Sequence, residues 1–252
     1  ATVTAGLGLL GTTQRGATLS RLGDFIASRQ LSNGGWGYAD GVAQTDVDDT
    51  AYCIELLRGV DPLRHRHAIE GAETYLIDLQ NDDGGFPTFM RGSSSEVAMT
   101  AAALNALAPS VRRYPDALGH GIEYILDNQS PDGTFERSWS RSQANAIFRA
   151  LLALCAVPDG PWRRRRIDAQ WRALAYLRGA QNRDGGWGHD GGEPSDVVST
   201  SYALITLSHF DPGPAIGRGV RYMLDNQLPG GGFVSRPDQA GPRPIAYDVP
   251  CL

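Results

Sequence analysis

Gln80-Asn81-Asp82-Asp83-Gly84-Gly85-Phe86 is the stretch that decides the fold, because close variants of it recur along the chain. In each copy a glutamine precedes an aromatic residue by six positions, and a glycine-rich turn lies between them. The five pairs are Gln30 and Trp36, Gln80 and Phe86, Gln129 and Phe135, Gln181 and Trp187, and Gln227 and Phe233. Successive aromatics are 50, 49, 52 and 46 residues apart. Self-similarity at one period predicts stacked supersecondary units.

Each repeat contains two predicted helices separated by the glycine-rich turn. The helix before the turn is amphipathic, as in residues 68–79, where apolar side chains recur every three or four positions. Glycine ends this helix because it reaches the positive φ of a C-terminal cap without steric cost. The helix after the turn carries little charge and many alanines. These second helices align on Thr50-Ala51, Thr100-Ala101 and Thr200-Ser201, and Ile147 takes the threonine position in residues 143–154.

The two kinds of helix predict two layers. Helices with one polar face, such as Arg21–Arg29 and Trp171–Arg178, are expected outside, and the alanine-rich helices inside. Outer and inner helices of similar length that alternate and close into a ring form an (α/α)6 barrel. The predicted fold class is therefore all-α, an (α/α)6 barrel of alternating inner and outer helices. An open solenoid of the same repeats is the alternative.

Length and composition favour a single domain over residues 1–252. The 252 residues can build one large core, and no proline- or serine-rich linker interrupts the repeat. The stretches Thr2–Leu10 and Ile245–Leu252 resemble inner helices that have been cut short. We therefore expect a domain that is trimmed at both ends.

Charge and cysteine content exclude several classes of partner. The net charge of −5 argues against binding to nucleic acid. No apolar run approaches the ~20 residues that a transmembrane helix needs. The three cysteines, Cys53, Cys155 and Cys251, are odd in number and far apart. This spacing predicts a reducing compartment, hence a cytoplasmic location, without a disulfide framework.

Asp46-Val47-Asp48-Asp49-Thr50-Ala51 is the strongest candidate for chemistry, since it places three carboxyl groups within four residues at the start of an inner helix. Like-charge repulsion and burial both raise a carboxyl pKa, so such a cluster can retain a proton near neutral pH. The structural alternative is a helix cap, because aspartate is favoured at the N-cap and in the first turn. The helix dipole also opposes a raised pKa, by ~0.3–1 kcal/mol, and we expect burial and crowding to outweigh it.

The repeated glutamine and aromatic pair, together with the acid motif, resembles the catalytic β domain of class II terpene cyclases. That group includes squalene–hopene cyclase and copalyl diphosphate synthase, and it carries "QW" repeats and a DxDDTA motif. The resemblance implies an (α/α)6 barrel in which the middle aspartate protonates a terminal alkene. It therefore implies that Asp48 is the general acid and that Asp46 and Asp49 tune and orient it. The histidine that squalene–hopene cyclase places beside its acid is replaced here by Met99-Thr100.

Aromatic side chains are the expected guides of a carbocation, which water would quench. A dry cavity lined by ring faces stabilises a cation by ~0.5–2 kcal/mol per ring without attacking it. The repeat aromatics, Trp36 among them, have packing as their simpler role. The candidates that face the cavity are Trp36, Tyr38, Tyr52, Trp139, Phe148, Tyr202 and Tyr247.

The resemblance also implies a linear prenyl diphosphate, farnesyl or geranylgeranyl, with Mg²⁺ as the probable cofactor. No class I DDxxD motif is present, so the diphosphate should survive in a drimenyl or copalyl type of product. Glu96 and Asp196 share the register of Asp46, and Arg91, Arg137 and Arg141 lie in loops at the same end. Inner-helix N-termini at that end favour anions. The alternative for Glu96 and Asp196 is helix capping.

Two other functions remain open at the level of sequence. A non-phosphorylated polyprene such as squalene is one alternative substrate, and a non-catalytic isoprenoid-binding domain is another role. Protein prenyltransferase β subunits and lanthipeptide cyclases share helical rings, but their zinc motifs are missing here. Family members usually pair this domain with a second helical domain, so a second domain or a partner chain is expected to complete the active site.

Overall fold

The computed structural model describes residues 12–39, 41–240 and 248–249. The chain divides into two compact units, one up to Gly121 and one from Ile122 onward, and each is described by itself. The α-helices of the described residues are α1 (Thr12–Ser28), α2 (Val47–Val60), α3 (Arg66–Leu79), α4 (Val97–Leu107), α5 (Pro115–Asp127), α6 (Gln143–Ala156), α7 (Arg163–Gly179), α8 (Val197–Phe210) and α9 (Pro214–Asp225). A short 3₁₀ turn, Ala108–Ser110, follows α4.

The predicted alternation of inner and outer helices is confirmed. In the first unit, α2 packs on α4 and also on α1 and α3. In the second unit, α6 packs on α8, and α8 packs on α9. Helix α4 is the most enclosed, since only Asn105 of its 11 residues is not buried. The apolar inner helices therefore lie against each other, and the amphipathic helices cover them.

In the first four repeats, the glutamine fixes its turn to the next outer helix. Its amide Nε2 donates to the carbonyl of the turn glycine four residues on, as in the Gln80 bond to Gly84, 2.8 Å long. The same Nε2 donates to an alanine carbonyl near the start of the following outer helix, and Gln80 reaches Ala117 at 2.8 Å. One side chain thus bonds a carbonyl of its own turn and a carbonyl of the next outer helix at the same time.

The repeat aromatics are packing anchors at the foot of the inner helices. The indole nitrogen of Trp36 donates to the carbonyl of Ile26 at 2.8 Å, and that of Trp187 donates to Leu177 at 2.7 Å. The backbone N–H of Trp36, Phe86 and Trp187 donates in each case to the threonine hydroxyl that the alignment singles out, at 2.9–3.0 Å. These bonds fix the start of the inner helix against the turn. Where Ile147 replaces the threonine, the amide of Gln143 donates to the carbonyl of Phe135 instead, at 2.8 Å.

The prediction of an inner helix at Ile245–Leu252 is wrong for two of its residues. Strand β2 (Asp248–Val249) pairs antiparallel with β1 (Gln239–Ala240), so the backbone there is extended. Three prolines in residues 242–250 deprive this segment of helical N–H donors. Its other residues, and the expected inner helix Thr2–Leu10, lie outside the described residues.

None of the helices that the structure describes combines the length and the apolar character that crossing a bilayer requires.

Gly84→Ala tests the close approach of turn and helix. Gly84 has φ +84°, and a Cβ there would lie 2.6 Å from the carbonyl oxygen of His120. The strained φ costs about 1–2 kcal/mol, and the backbone clash adds about 1–3 kcal/mol more. Gly92→Ala is the matched control, because Gly92 has φ +89° but open space around it. Urea unfolding should show the larger loss for Gly84→Ala, and equal losses would contradict the contact.

Candidate active site

Asp46 is held at the N-terminus of α2 by the repeat turn. Its backbone N–H donates to the carbonyl of Trp36 at 3.1 Å, and the next N–H, from Val47, donates to Thr88 at 3.0 Å. Asp46 itself is extended, with φ −138° and ψ 166°. The first turn of α2 begins directly after it. The three acidic residues are therefore presented at the end of an inner helix, as the sequence predicts.

The helix-cap interpretation of the acid motif is confirmed. A carboxylate oxygen of Asp46 accepts the backbone N–H of Asp49 at 2.8 Å, and Asp48 and Asp49 lie in the first turn. This bond satisfies one of the helix's unpaired N–H donors. Capping and acid chemistry do not exclude each other here, because the capping carboxyl is also buried.

Burial gives Asp46 and Asp49 raised pKa values. Asp46 is only 6% exposed, and loss of hydration, followed by its interaction with the Asp49 carboxyl, raises its pKa to about 8. The pKa of Asp49 is also raised, first by burial and further by the charge of Asp48. The bond from the Asp49 N–H lowers the Asp46 pKa but does not reverse the effect. At Asp46, burial and the neighbouring carboxyl groups therefore outweigh the bond at the helix terminus, and the raised pKa favours a proton on this pair near neutral pH.

The best shielded carboxyl of the motif is Asp46 and not Asp48. Asp48 is half-buried, and its charge raises the pKa of both neighbours. Sequence reasoning placed the un-ionised acid at position 48, because that position matches the donor of the resembled family. The structure adds a second carboxyl that can hold the proton. The donor role of Asp48 stays a prediction.

The sequence analysis did not identify two residues that lie beside the acid motif. Cys53 follows Asp49 by one helical turn, and burial, with the charges of Asp49 and Asp46, raises the pKa of its thiol to about 12. Tyr75 of α3 is buried near Thr45 and Asp46, and burial raises the pKa of its phenol. The i,i+4 spacing of Asp49 and Cys53 could have indicated the first contact. Nothing in the sequence indicates the second.

The other predicted site residues of the first unit are spread over its surface and core. Trp36 is buried and bonded to α1, whereas Tyr38 is 78% exposed and Tyr52 is exposed on α2. Glu96 is half-buried, precedes α4 and accepts the hydroxyl of Thr88 without capping the helix. Arg91 is exposed and pairs with Asp82. The described contacts of Trp36 are thus those of a packing anchor.

In the second unit, the structure brings two predicted aromatics together. The rings of Phe148 on α6 and Tyr202 on α8 have centroids 5.9 Å apart, and both side chains are half-buried. Trp139 and Arg141 are half-buried in the loop before α6. The guanidinium of Arg137 donates to the carbonyl of Arg141 and lies 3.5 Å from Asp190. Tyr247 lies outside the described residues.

A buried polar cluster in the second unit was also missed. Asp196 caps α8 by accepting the N–H of Ser199 at 2.8 Å, so the capping interpretation holds for this residue. The buried imidazole of His189 lies 3.7 Å from Asp196 and 3.9 Å from Asp238. Asp238 accepts the N–H of Ser142 at 3.0 Å. The cluster thus ties the segment after the fifth repeat to the start of α6, and it depends on residues about 50 apart in sequence.

The cavities and possible metal ligands give no second candidate site. A cavity of about 390 Å³ is lined by Leu126, Arg165, Asp168 and Arg172, and one of about 190 Å³ lies between α6 and α7. Neither lining includes a residue of the acid motif. Within residues 12–39, 41–240 and 248–249, no group of three His, Cys, Asp or Glu side chains is arranged to hold a metal ion.

Comparison with known proteins assigns the chain to a family. The profile of the squalene–hopene cyclase C-terminal domain matches residues 93–244. The chain belongs to this family. The drimenyl diphosphate synthase of Streptomyces showdoensis is 51% identical over 255 residues, which cover 100% of this chain and 48% of the relative. The resemblance to class II terpene cyclases that the sequence predicts is thereby confirmed.

Solved structures of cyclases share the fold. The type II terpene cyclase MstE from Scytonema matches with a TM-score of 0.72 at 18% identity, covering 92% of this chain and 70% of that one. The ent-copalyl diphosphate synthase from Streptomyces platensis matches with a TM-score of 0.68 at 24% identity, covering 87% and 42%. These matches confirm the predicted fold class, the all-α (α/α)6 barrel, against an open solenoid. The chain spans about half the length of the curated relative it matches.

Asp46→Asn tests the buried proton. A folded-state pKa near 8, against an ordinary value of 3.8, means that the folded protein binds the proton more tightly than the unfolded chain does. Stability from this group is therefore lost as pH rises from about 4 to about 8. Asparagine keeps the cap and cannot ionise. Between pH 4.5 and 8, the free energy of unfolding of the native protein should fall by at least ~1 kcal/mol more than that of the variant.

The control for this measurement is the exposed Asp82, whose replacement by asparagine should leave the pH dependence unchanged. Chemical denaturation at a series of pH values gives both comparisons. A constant gap between Asp46→Asn and the native protein would show that Asp46 ionises normally.

Proposed function

We propose that this chain is the acid-bearing part of a class II terpene cyclase that acts on a linear prenyl diphosphate. The observation that supports this proposal is the carboxyl cluster at the N-terminus of an inner helix, where burial raises the pKa of Asp46 and Asp49, in a chain of the cyclase family. A carboxyl that is still protonated near pH 7 is the reagent that alkene protonation requires. Burial among neighbouring aspartates favours the protonated form of such a carboxyl, and this effect needs neither a metal nor an organic cofactor.

Asp48 is the proposed proton donor, with Asp46 and Asp49 as its positioning residues. Asp48 is half-buried whereas Asp46 is buried, which leaves the Asp48 side chain the more accessible of these two to a substrate. Asp46 caps α2 by accepting the Asp49 N–H, so this pair fixes the position of Asp48 in the first turn of the helix.

The proposed reaction is an isomerisation, in which one proton is added to the substrate and one proton is lost from the cyclised cation. Asp48 gives its proton to one carbon of the distal alkene, and the tertiary cation that forms is attacked in turn by the neighbouring alkenes. Loss of a proton from the cyclised cation to a base, and from there to solvent, ends the sequence and forms a new alkene, and solvent returns a proton to the Asp48 carboxylate. The carbon–oxygen bond to the diphosphate is never broken, so substrate and product have the same composition.

Similarity to a drimenyl diphosphate synthase favours farnesyl diphosphate over the C20 substrate. The proposed product is accordingly a bicyclic diphosphate of the drimenyl type. Geranylgeranyl diphosphate, with a copalyl product, is the second choice within the same chemistry. Glu96, Arg141 and the loops at the inner-helix N-termini are the proposed neighbours of the diphosphate, because N–H groups at helix starts favour anions.

Phe148 and Tyr202 are the proposed guides of the cation in the second unit. Their rings are 5.9 Å apart and only half-buried, so ring faces remain available. Each such face contributes ~0.5–2 kcal/mol to a desolvated cation. Tyr52, Trp139 and Tyr247 stay predictions for the same role.

A second helical domain, or a partner chain, is proposed to complete the active site. The curated relative is about twice as long as this chain. The cytoplasm remains the proposed location, on the basis of the cysteine content.

Asp48→Asn separates catalysis from binding. The variant should lose at least ~10³-fold in turnover of farnesyl diphosphate, because the amide has no transferable proton, and should keep its affinity for the substrate. Asp46→Asn and Asp49→Asn should retain part of the activity with an altered pH profile. Purified protein incubated with C15, C20 and C30 isoprenoids, followed by mass analysis of products, measures all of them.

Two outcomes would contradict this proposal. Conversion of squalene alone would show that the diphosphate is not recognised. Full activity of Asp48→Asn, together with an inactive Asp46→Asn, would move the donor role to Asp46.

Mg²⁺ is proposed to act with the diphosphate and not in a protein site built from three side chains of the described residues. Magnesium usually binds through one or two carboxylates together with substrate phosphates. Chelation with EDTA should therefore reduce turnover of the diphosphate but leave the thermal unfolding temperature of the substrate-free protein unchanged. A lower unfolding temperature on chelation would point to a structural metal instead.

A further inference from the structure

A tyrosine recurs at one position of the outer helices, five residues before the repeat glutamine. The four tyrosines are Tyr75, Tyr124, Tyr176 and Tyr222. Two of them pack on the glycine-rich turn that precedes them in the chain. A Cβ added at Gly35 would lie 3.0 Å from Cζ of Tyr75, the ring carbon that bears the hydroxyl. A Cβ added at Gly186 would likewise lie 3.0 Å from Cδ2 of Tyr222. The recurrence therefore marks a packing position for the ring and does not explain the hydroxyl.

The hydroxyl of Tyr75 is buried and unused. The residue is 7% exposed, and its hydroxyl makes no hydrogen bond of normal geometry with the described residues, although Thr45 lies close to it. Tyr176, at the same position of α7, donates its hydroxyl to the carboxylate of Asp190 at 2.6 Å. Most buried side-chain polar groups have a partner, so a buried hydroxyl without one needs an explanation.

This unused hydroxyl lies beside the acid motif. The Cβ position at Gly35 that contacts Tyr75 is also 2.9 Å from Cβ of Thr45, so the two side chains meet at this turn. Thr45 immediately precedes Asp46, and its own hydroxyl accepts the side-chain amide of Asn33 at 2.9 Å. Burial raises the pKa of the Tyr75 phenol, and the charge of Asp46 adds to the effect. The phenol is thus a protonated donor over the whole pH range in which the carboxyl groups titrate.

The other titratable groups that the described residues bring to Asp46 come from α2. They are Asp48, Asp49 and Cys53. The charges of the two aspartates oppose further ionisation of the motif, and a thiol is only a weak hydrogen-bond donor. The turn residues 33–36 carry no titratable group. Helix α3 therefore contributes, through Tyr75, the neutral O–H donor of these surroundings.

We propose that Tyr75 is a positioning residue of the acid motif, whose hydroxyl donates a hydrogen bond to the Asp46 carboxylate when the motif has given up its proton. This inference rests on the proposed function and adds to it a residue of the neighbouring outer helix. Protonation of the alkene leaves one more negative charge on three crowded carboxyl groups. A hydrogen bond to a carboxylate is stronger than one to a neutral carboxyl, so Tyr75 stabilises the deprotonated motif more than the protonated one. It thereby strengthens the acid without touching the substrate.

Tyr75→Phe removes the hydroxyl and keeps the ring that packs on Gly35. With farnesyl diphosphate as substrate, we expect kcat to fall about tenfold at unchanged KM, because the deprotonated motif loses a charge-assisted hydrogen bond. The pH at which activity is lost on the alkaline side should rise by about one pH unit. The sign follows because a bond to the charged form favours ionisation, and its removal favours the protonated form.

The pH dependence of unfolding measures the same contact without any turnover. In the native protein, the stability that the Asp46 proton confers is present at low pH and is lost as pH rises to about 8. In Tyr75→Phe this loss should continue for about one further pH unit and become about 1.4 kcal/mol larger, the equivalent of tenfold in proton affinity. At pH 4.5 the variant should be as stable as the native protein, since the hydroxyl has no partner there. Chemical denaturation at a series of pH values gives both quantities.

Two comparisons decide whether the hydroxyl acts through Asp46. Tyr222→Phe is the matched control, because it removes a hydroxyl from the same position of α9 and keeps the packing on Gly186, and both pH dependences should stay unchanged. In the Asp46→Asn variant, adding Tyr75→Phe should no longer alter the pH dependence of unfolding.

The unfolding measurement separates failure of this inference from failure of the proposed function. A loss of stability in Tyr75→Phe that is the same at every pH, or no change at all, would overturn the role of Tyr75, whether or not the chain converts farnesyl diphosphate. A native protein without turnover, whose unfolding still responds to Tyr75→Phe as stated, would support the contact with Asp46 and contradict the proposed function.

Discussion

The double donation of one glutamine amide is the interaction on which the rest of the structure depends. Gln30, Gln80, Gln129 and Gln181 each bond a turn carbonyl and a carbonyl of the next outer helix. Helix packing by apolar side chains alone tolerates sliding by a turn, because it is not directional. A hydrogen bond with defined geometry removes that freedom. The repeat period in the sequence is therefore the spacing of these fixed points.

The acid site is a consequence of the same turns. The turn places Trp36 opposite Asp46, and the threonine hydroxyl of Thr50 closes the arrangement from inside α2. The start of the inner helix is thereby fixed, and with it the positions of three carboxyl groups. The equivalent positions of the other repeats hold Glu96, Ser142 and Asp196, so the scaffold presents a polar residue at each inner-helix start.

Sequence reasoning recovered what is periodic and missed what is not. Spacing in the sequence predicts the inner and outer helices, the packing role of the repeat aromatics and the crowded acid motif. These features can be predicted because the same contacts recur in successive repeats. The cluster of His189, Asp196 and Asp238 could not be found in this way, because Asp238 follows the fifth turn whereas His189 and Asp196 follow the fourth, and the contact occurs once. Tyr75 was missed because its approach to Thr45 and Asp46 likewise joins two repeats. The helix expected at Ile245–Leu252 is wrong at Asp248 and Val249, which are extended and lie between Pro244 and Pro250 in the sequence.

The choice of Asp46 as the most buried carboxyl likewise depends on tertiary structure. Three aspartates within four residues are equivalent in a sequence, and only the packing of Thr45, Tyr75 and the Trp36 turn makes them different. Cys53 is affected by the same surroundings, since burial and the charges of Asp49 and Asp46 raise the pKa of its thiol to about 12. A thiolate is among the strongest nucleophiles in proteins and would alkylate irreversibly beside an electron-deficient carbon. Under the proposed mechanism, a neutral sulfur beside the acid motif would therefore limit attack on the protein by its own cationic intermediate.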